Sequence, residues 1–165
     1  MTIRPVLPQD HPGLAALEER ARERAGSRLP LGAAGERWRV GLSDRTGENL
    51  VFVTGSKVLG FVSYGSAKGA AVPGADIELR ALCVEPAHWR AGIGRALWAA
   101  AARGMRVRHA RIAVAWVSLE DIRARYFLEA VGFALVPNET RESNGWRDRQ
   151  ILYRFDVVAA PAAAV

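Results

Sequence analysis

Apolar residues recur along this chain at two spacings, and the spacing changes several times between the ends. Residues 2–6 read as a short strand, closed by Pro5, Pro8 and the polar pair Gln9–Asp10. Asp10 stands where it would cap a helix in which Leu14, Leu17 and Ala21 repeat at helical spacing. Residues 25–35 are rich in Gly and Pro and read as a loop, and residues 36–42, with Trp38, as a second short helix. Strand-like runs at 49–53 and 58–64 flank Thr54-Gly55-Ser56-Lys57, a hairpin signal. A loop of small residues (66–74) leads into a fourth strand, 76–84. Then come a helix over 92–104, a fifth strand over 111–117 and a helix over 118–131. Gly132-Phe133 opens a strand to Val136, followed by a polar loop (138–149) and a last strand, 150–157. Strands that alternate with helices after an antiparallel start predict a mixed sheet covered by helices. We expect a single domain over 1–158 and a frayed Ala-rich tail at 159–165.

The composition fits an ordinary globular chain: 165 residues, half of them apolar and 24% charged. A lone cysteine, Cys83, makes no internal disulfide. No apolar run approaches the ~18 residues of a membrane helix, and the start lacks a signal-peptide core. The expected location is the cytoplasm. The net charge of +6 is unevenly placed. Between Pro86 and Arg125 there are eight arginines (90, 95, 103, 106, 108, 111, 123, 125) against Glu120 and Asp121. Eight less two accounts for the whole excess, so the rest of the chain is neutral. A basic segment in a neutral protein points to phosphates on a small molecule or to a nucleic acid. An arginine-rich surface without a partner is the plainer alternative, since Lys57 and Lys68 are the only lysines.

In Asp76-Ile-Glu-Leu-Arg-Ala-Leu-Cys-Val84 the apolar alternation changes phase, from Ile77 and Leu79 to Leu82 and Val84. One extra residue near Arg80–Ala81, a β-bulge, would do this; a strand buried on both faces would also. Six residues on, Arg90-Ala-Gly92-Ile-Gly94-Arg95 opens a helix with Ile93, Leu97, Ala101 and Met105 on one stripe. Glycines at 92 and 94 permit a tight turn and close approach of a ligand. The helix N-terminus then offers unpaired N–H groups suited to a pyrophosphate. The dinucleotide fingerprint would need a third glycine where Leu97 stands, and the P-loop a Gly-Lys-Ser/Thr.

Leu82-Cys-Val-Glu-Pro86 followed by Gly92-Ile-Gly94-Arg-Ala-Leu97 resembles the acyl-CoA signature of the GNAT superfamily of N-acetyltransferases. Asp121-Ile-Arg-Ala124 with Phe127-Leu-Glu-Ala-Val-Gly-Phe133 is similar to that family's second hallmark, Asn-x-x-Ala…Tyr-x-x-x-Gly-Phe. The element order matches over nearly the whole chain. The resemblance implies an α/β (α+β) fold: a mixed, mostly antiparallel sheet with splayed fourth and fifth strands and helices on both faces. It implies acetyl-CoA as cosubstrate, with the backbone of Leu82, Cys83 and Val84 along the pantetheine arm. The pyrophosphate would sit on Trp89, Arg90, Ala91, Gly92, Ile93, Gly94 and Arg95. The acceptor, a small-molecule or peptide amine, would enter past the 25–42 region and the 138–149 loop.

Three positions depart from the pattern. Trp89 stands where the family has Gln or Arg, leaving Arg90 as replacement charge. The hallmark Asn is Asp121, which either touches the cofactor or completes a capping box begun by Ser118. The hallmark tyrosine, the usual acid for the leaving thiolate, is Leu128. Tyr126 lies two helical steps away, a rotation of ~200°, and is expected to pack. The thiolate, with a thiol pKa near ~8.5, is a tolerable leaving group unaided.

An alkyl amine has a pKa near ~10.4 and must lose a proton to attack. Glu78, just before the phase change, is the candidate general base, with Asp76 as runner-up; a salt bridge to Arg80 is the structural alternative. Cys83 lacks a paired His–acid couple and reads as a buried strand residue. His11, His88 and His109 have no metal-ligand spacing, so no metal is expected. Trp38, Trp116 and Trp146 are candidates for lining the acceptor pocket, with core packing the equal alternative for Trp116. Nucleic acid is not an expected partner, since Trp98 falls beside the helix's core stripe. A last strand at 150–157 forming a sheet edge would offer a surface for a homodimer. The alternative function is a CoA-binding module of the same fold with little or no transfer.

Overall fold

The computed structural model describes residues 1–25, 47–67, 72–142 and 149–157. In chain order they form β1 (Thr2–Pro5), α1 (His11–Ala25), β2 (Glu48–Thr54), β3 (Lys57–Ser66), β4 (Ile77–Val84) and α2 (Ile93–Val107). Then follow β5 (Ile112–Ser118), α3 (Ile122–Ala130), β6 (Ala134–Glu142) and β7 (Arg149–Asp156). Single 3-10 turns occupy Pro8–Asp10 and Pro86–His88. The strands form one sheet in the order β1-β2-β3-β4-β5-β7-β6. β4 and β5 run parallel, while β1–β2, β2–β3, β5–β7 and β6–β7 are antiparallel. This is the expected mixed sheet. The helix expected at 36–42, with Trp38, and the tail at 159–165 lie outside the described residues, as does Trp146.

The chain groups into two compact units, Met1–Gly65 with Arg80–Ala101, and Ser66–Leu79 with Ala102–Val165. In the first, Leu14 and Leu17 of α1 are fully buried against Val51, Val53 and Phe61, with Val58, Ala81 and Cys83 packed alongside. The two-residue turn Gly55–Ser56 closes the β2–β3 hairpin, with Gly55 at φ 59°. The register shifts between Phe52, opposite Gly60, and Val53, opposite Val58. Leu59 is the extra residue, which turns Val58 and Phe61 onto the same face. Gly60 faces the other way. A Cβ there would lie 3.0 Å from Leu97 Cδ1, 3.2 Å from Ile93 Cγ2 and 3.0 Å from the Cys83 carbonyl oxygen. Neighbouring strand residues point to opposite faces, so α1 and the start of α2 cover opposite sides of β3.

Asp10 does not cap α1. Its buried carboxylate reaches back, accepting the Leu7 N–H at 2.8 Å and a two-pronged Arg4 guanidinium at 2.6 and 2.9 Å. Those bonds close the 3-10 turn and hold the carboxyl below the usual carboxylate range, the Arg4 hydrogen bond contributing most.

In the second unit the β4–β5 ladder is three pairs long: Ile77↔Ala113, Glu78↔Val114 and Leu79↔Ala115. It is regular and stops just before Arg80–Ala81, where the bulge was expected. Register shifts occur at Phe52/Val53 and Leu135/Thr140. β7 pairs with β5 on one side and β6 on the other. The expectation that 150–157 forms an exposed edge is therefore wrong; β6 holds the edge. β6 is also longer than expected, continuing to Glu142 through Asn138 at φ 63°. Its polar stretch carries no alternation to read, because an edge strand lies largely in water and needs no buried face.

Val114 and Leu152 form the core on one face with Val72, flanked by Ile112, Trp116 and Val136. On the other, Phe133 and Phe155 stack with centroids 5.2 Å apart, beside Gly132 at φ 100°. The buried Tyr153 hydroxyl donates to Glu129 on α3 at 2.8 Å and accepts from Arg125 at 3.4 Å. Burial pushes its pKa upward.

Close packing at Gly60 gives a stability test. Gly60→Ala should cost about 1–3 kcal/mol, since one of the three contacts is a backbone carbonyl that cannot rotate away. Urea denaturation of the two proteins measures the difference.

Candidate active site

A phosphate-binding site at the start of α2 requires a turn that exposes its first amides. The structure supplies one. After β4, the Glu85 N–H still donates to the Leu59 carbonyl at 2.8 Å, and the Glu85 carboxylate is gripped by Arg20 at 2.7 and 3.2 Å. The Pro86–His88 turn follows. The Trp89 indole N–H donates 2.7 Å back to the Val84 carbonyl, pinning the loop to the strand it has just left. Trp89 thus occupies the family's polar position as a structural clamp.

Arg90 then takes φ 67° and Gly92 φ 82°, two left-handed residues that reverse the chain into α2. Left-handed backbone is the reason position 92 favours glycine, since a Cβ there would meet nothing within 4 Å. The Ala91 N–H is taken by His88, and the first helical bond runs from Ala96 N–H to Gly92. The amides of Gly92, Ile93, Gly94 and Arg95 are therefore the helix's N-terminal donors. Arg90 and Arg95 are exposed beside them, and Ile93 is buried as an anchor. Trp89 through Arg95 thus lead into α2 one short turn, Pro86–His88, after Leu82, Cys83 and Val84. The open space beside Gly92, the positive helix end and two exposed guanidinium groups fit an anionic pyrophosphate.

Other arginines of the basic segment have structural partners. Arg106 donates to the Val157 carbonyl at 3.3 Å, Arg111 lies 4.0 Å from Asp76, and Arg125 holds Tyr153 and the Leu119 carbonyl. Much of the charge excess thus fastens secondary structure.

Glu78 faces a cluster that reading along the chain did not assemble. It stands opposite Val114, and Trp116 is the next residue of β5 on that face. Arg141 of β6 brings a guanidinium nitrogen 3.8 Å from Glu78 Oε1 and its guanidinium carbon 4.5 Å from the Trp116 ring centroid. Arg141 Nε also donates to Gln150 Oε1 at 2.8 Å. The structural alternative for Glu78 is a salt bridge to Arg80 or a strand-edge charge; the partner seen is Arg141. Partial burial lowers the Arg141 pKa, and the Glu78 charge pulls it back up. Neither Arg141 nor Gln150 was a candidate from the sequence, because nothing local to either marks it.

Asp76 is occupied differently. Its Oδ2 accepts the Arg111 N–H at 2.7 Å and the Ile112 N–H at 3.2 Å, fixing the entry to β5. Chiefly through the Arg111 N–H, these bonds lower its pKa, which is the wrong direction for a base.

Asp121 also does local work. It is the N-cap of α3, accepting the Ala124 N–H at 3.0 Å. The capping box does not form as expected: the helix starts at Ile122, and Ser118 instead accepts the Glu120 N–H at 3.3 Å. Leu128 is buried in the hallmark position, whereas Tyr126 is 68% exposed and does not pack as expected. Among the described residues no group of His, Cys, Asp and Glu is placed to hold a metal ion, and no helix is long and apolar enough to cross a membrane.

Residues 13–133 match the acetyltransferase (GNAT) family. Solved structures are similar over almost their whole length. An acetyltransferase from Thermus thermophilus is 22% identical with a TM-score of 0.71, covering 94% of this chain and 97% of that one. The ribosomal-protein-S18-alanine N-acetyltransferase from Escherichia coli is 18% identical, TM-score 0.73, covering 99% and 98%. The PaiA N-acetyltransferase from Thermoplasma acidophilum, solved with coenzyme A, is 15% identical, TM-score 0.68, covering 94% and 98%. At such identities the likeness is one of fold. No curated protein matches the sequence. The chain belongs to the acetyltransferase (GNAT) family, and as an enzyme it is an acyltransferase.

The Asp76 bonds predict an acid-sensitive strand junction. A carboxyl with a lowered folded pKa contributes stability above its unfolded value of ~3.9, and that contribution disappears as pH falls through the folded value. Asp76→Asn should reduce stability near neutrality and flatten its decline below about pH 4. Denaturant unfolding across that range checks both.

Proposed function

We propose that this acyltransferase moves an acetyl group from acetyl-CoA to a primary amine by direct attack in a ternary complex. The loop geometry from Trp89 to Arg95 is the observation that carries the reading. The Gly92–Arg95 amides and the Arg90 and Arg95 guanidinium groups would hold the pyrophosphate. The backbone of Leu82, Cys83 and Val84 would run along the pantetheine arm as an added strand. Acetyl-CoA, when bound, supplies a thioester carbonyl that forms a C–N bond with the amine as its C–S bond breaks.

Glu78 takes the amine's proton, directly or through a water. It stands one residue before the end of the parallel ladder, half-buried and facing Trp116 and Arg141. Asp76 does not compete for this role, since its Oδ2 already accepts two backbone N–H groups. Asp121 supports α3 from its cap. The departing thiolate takes its proton from solvent, because Leu128 has no hydroxyl to give. That same residue favours a second reading, a CoA-binding protein with little transfer. Thiol release across an amine panel distinguishes the two.

Two variants test the assignments. Gly92→Glu puts a side chain at φ 82° and a negative charge among the phosphate donors; CoA affinity should fall at least ~100-fold, the scale of one or two lost charge-assisted bonds. Unchanged affinity by calorimetry would remove the loop from the site. Glu78→Gln should lower turnover by ~10²-fold or more and abolish the acidic limb of the pH–rate profile. A variant that keeps both wild-type turnover and profile would show that Glu78 is not the base.

A further inference from the structure

The Arg141 guanidinium is fixed from three sides. Its Nε is bonded to Gln150, its central carbon lies over the Trp116 ring, and one terminal nitrogen lies toward Glu78. Gln150 is also its cross-strand partner in the β6–β7 ladder, so backbone register sets the hydrogen bond. The cation is thus part of the wall beside Glu78. Yet the 3.8 Å separation exceeds hydrogen-bonding distance, so neither group saturates the other. Both reach solvent: the Arg141 side chain is 46% exposed and that of Glu78 25%.

We propose that Arg141 binds a carboxylate carried by the acceptor beside its amine, so that the acceptors are amino acids with an unblocked α-carboxylate. This deepens the reading of Glu78 as the base and rests on it. An amino acid carries its ammonium and carboxylate on one carbon, and the site offers a carboxylate and a guanidinium side by side. The ammonium faces Glu78, the carboxylate faces Arg141, and each charge on either molecule has an opposite neighbour. The planar fork of an arginine suits a carboxylate bound by two parallel hydrogen bonds. A polyamine or other purely cationic acceptor fits poorly. Its second charge would meet Arg141, and removing Arg141 would sacrifice both the Gln150 bond and the Trp116 stack.

The test uses matched ligands on the intact protein: phenylalanine against phenylalaninamide and phenethylamine, and lysine against lysinamide and cadaverine. Calorimetric binding without acetyl-CoA should favour the amino acid of at least one set by about tenfold or more, the worth of one charge-assisted contact. The preference should collapse toward unity in Arg141→Gln and persist in part in Arg141→Lys, which keeps the charge without the fork. Equal or tighter binding of the amide and the decarboxylated amine in both sets would overturn the proposal. So would a preference that survives Arg141→Gln, or no amino-acid binding at millimolar concentration. Should Arg141→Gln fail to fold, the wild-type comparison still decides. Thiol release separates the two readings. Amino acids bound with the stated preference but never acetylated would leave the subsite standing and remove the transferase reading. Amines lacking a carboxylate acetylated as efficiently as amino acids would do the reverse.

Discussion

A single parallel pair inside a largely antiparallel sheet constrains this molecule more than any other feature. Antiparallel neighbours can be joined by a tight turn, as Gly55–Ser56 joins β2 to β3. Parallel neighbours cannot, because the chain must travel back the length of the strand before it can pair again. β4 and β5 are therefore separated by a crossover, and α2 is that crossover. The helix must begin near the carboxyl end of β4, so its exposed amides lie one short loop from that strand. Helix amides open at that point are a consequence of the topology. What the local sequence adds is the loop: a Trp89 clamp, left-handed Arg90 and Gly92, and a buried Ile93 that fixes the first helical turn.

The brevity of the parallel ladder matters for the same reason. Three residue pairs bring Glu78 opposite Val114 and then end. Glu78 is held by regular pairing, which fixes its height along β5 and hence its relation to Trp116. The edge strand β6, through its own pairing with β7, delivers Arg141 to the same face. A carboxylate on one strand, an aromatic on the next and a cation from the sheet edge thus share one surface. Asp76 and Asp121 have separate tasks: Asp76 holds two amides of β5, and Asp121 caps α3.

Much of the fold was legible because its signals are local. The stripe Ile93, Leu97, Ala101 and Met105 is buried as helical spacing requires. The hairpin falls where its glycine places it, and every strand but β6 lies within two residues of its expected bounds. The errors have a shared origin. β6 was cut short at Val136 because an edge strand needs no apolar alternation. The pattern of the last strand does not show that β7 is paired on both sides, because strand order is not a property of any one strand. Asp10 has capping as its expected role and Asp121 either capping or cofactor contact, but each caps a different turn from the one expected. An acidic side chain near a helix start can reach forward or back, and only the surrounding partners choose.

The candidate site divides along the same line. Spacing in one short segment was enough to mark the glycine loop, since its residues are neighbours in the chain and their chemistry follows from backbone conformation. The sequence by itself therefore determined the strand–loop–helix unit, its glycines and its flanking charges, and it nominated Glu78. Tertiary structure alone decided what surrounds Glu78. Arg141 lies far from it in sequence and meets it only through the β5–β7–β6 ladders, held there by Gln150. It also withdrew Asp76 from contention and gave several arginines of the basic segment to structural duty. Pairing between distant strands is set by the energy of the whole sheet, and no local periodicity records which side chains that pairing will bring face to face.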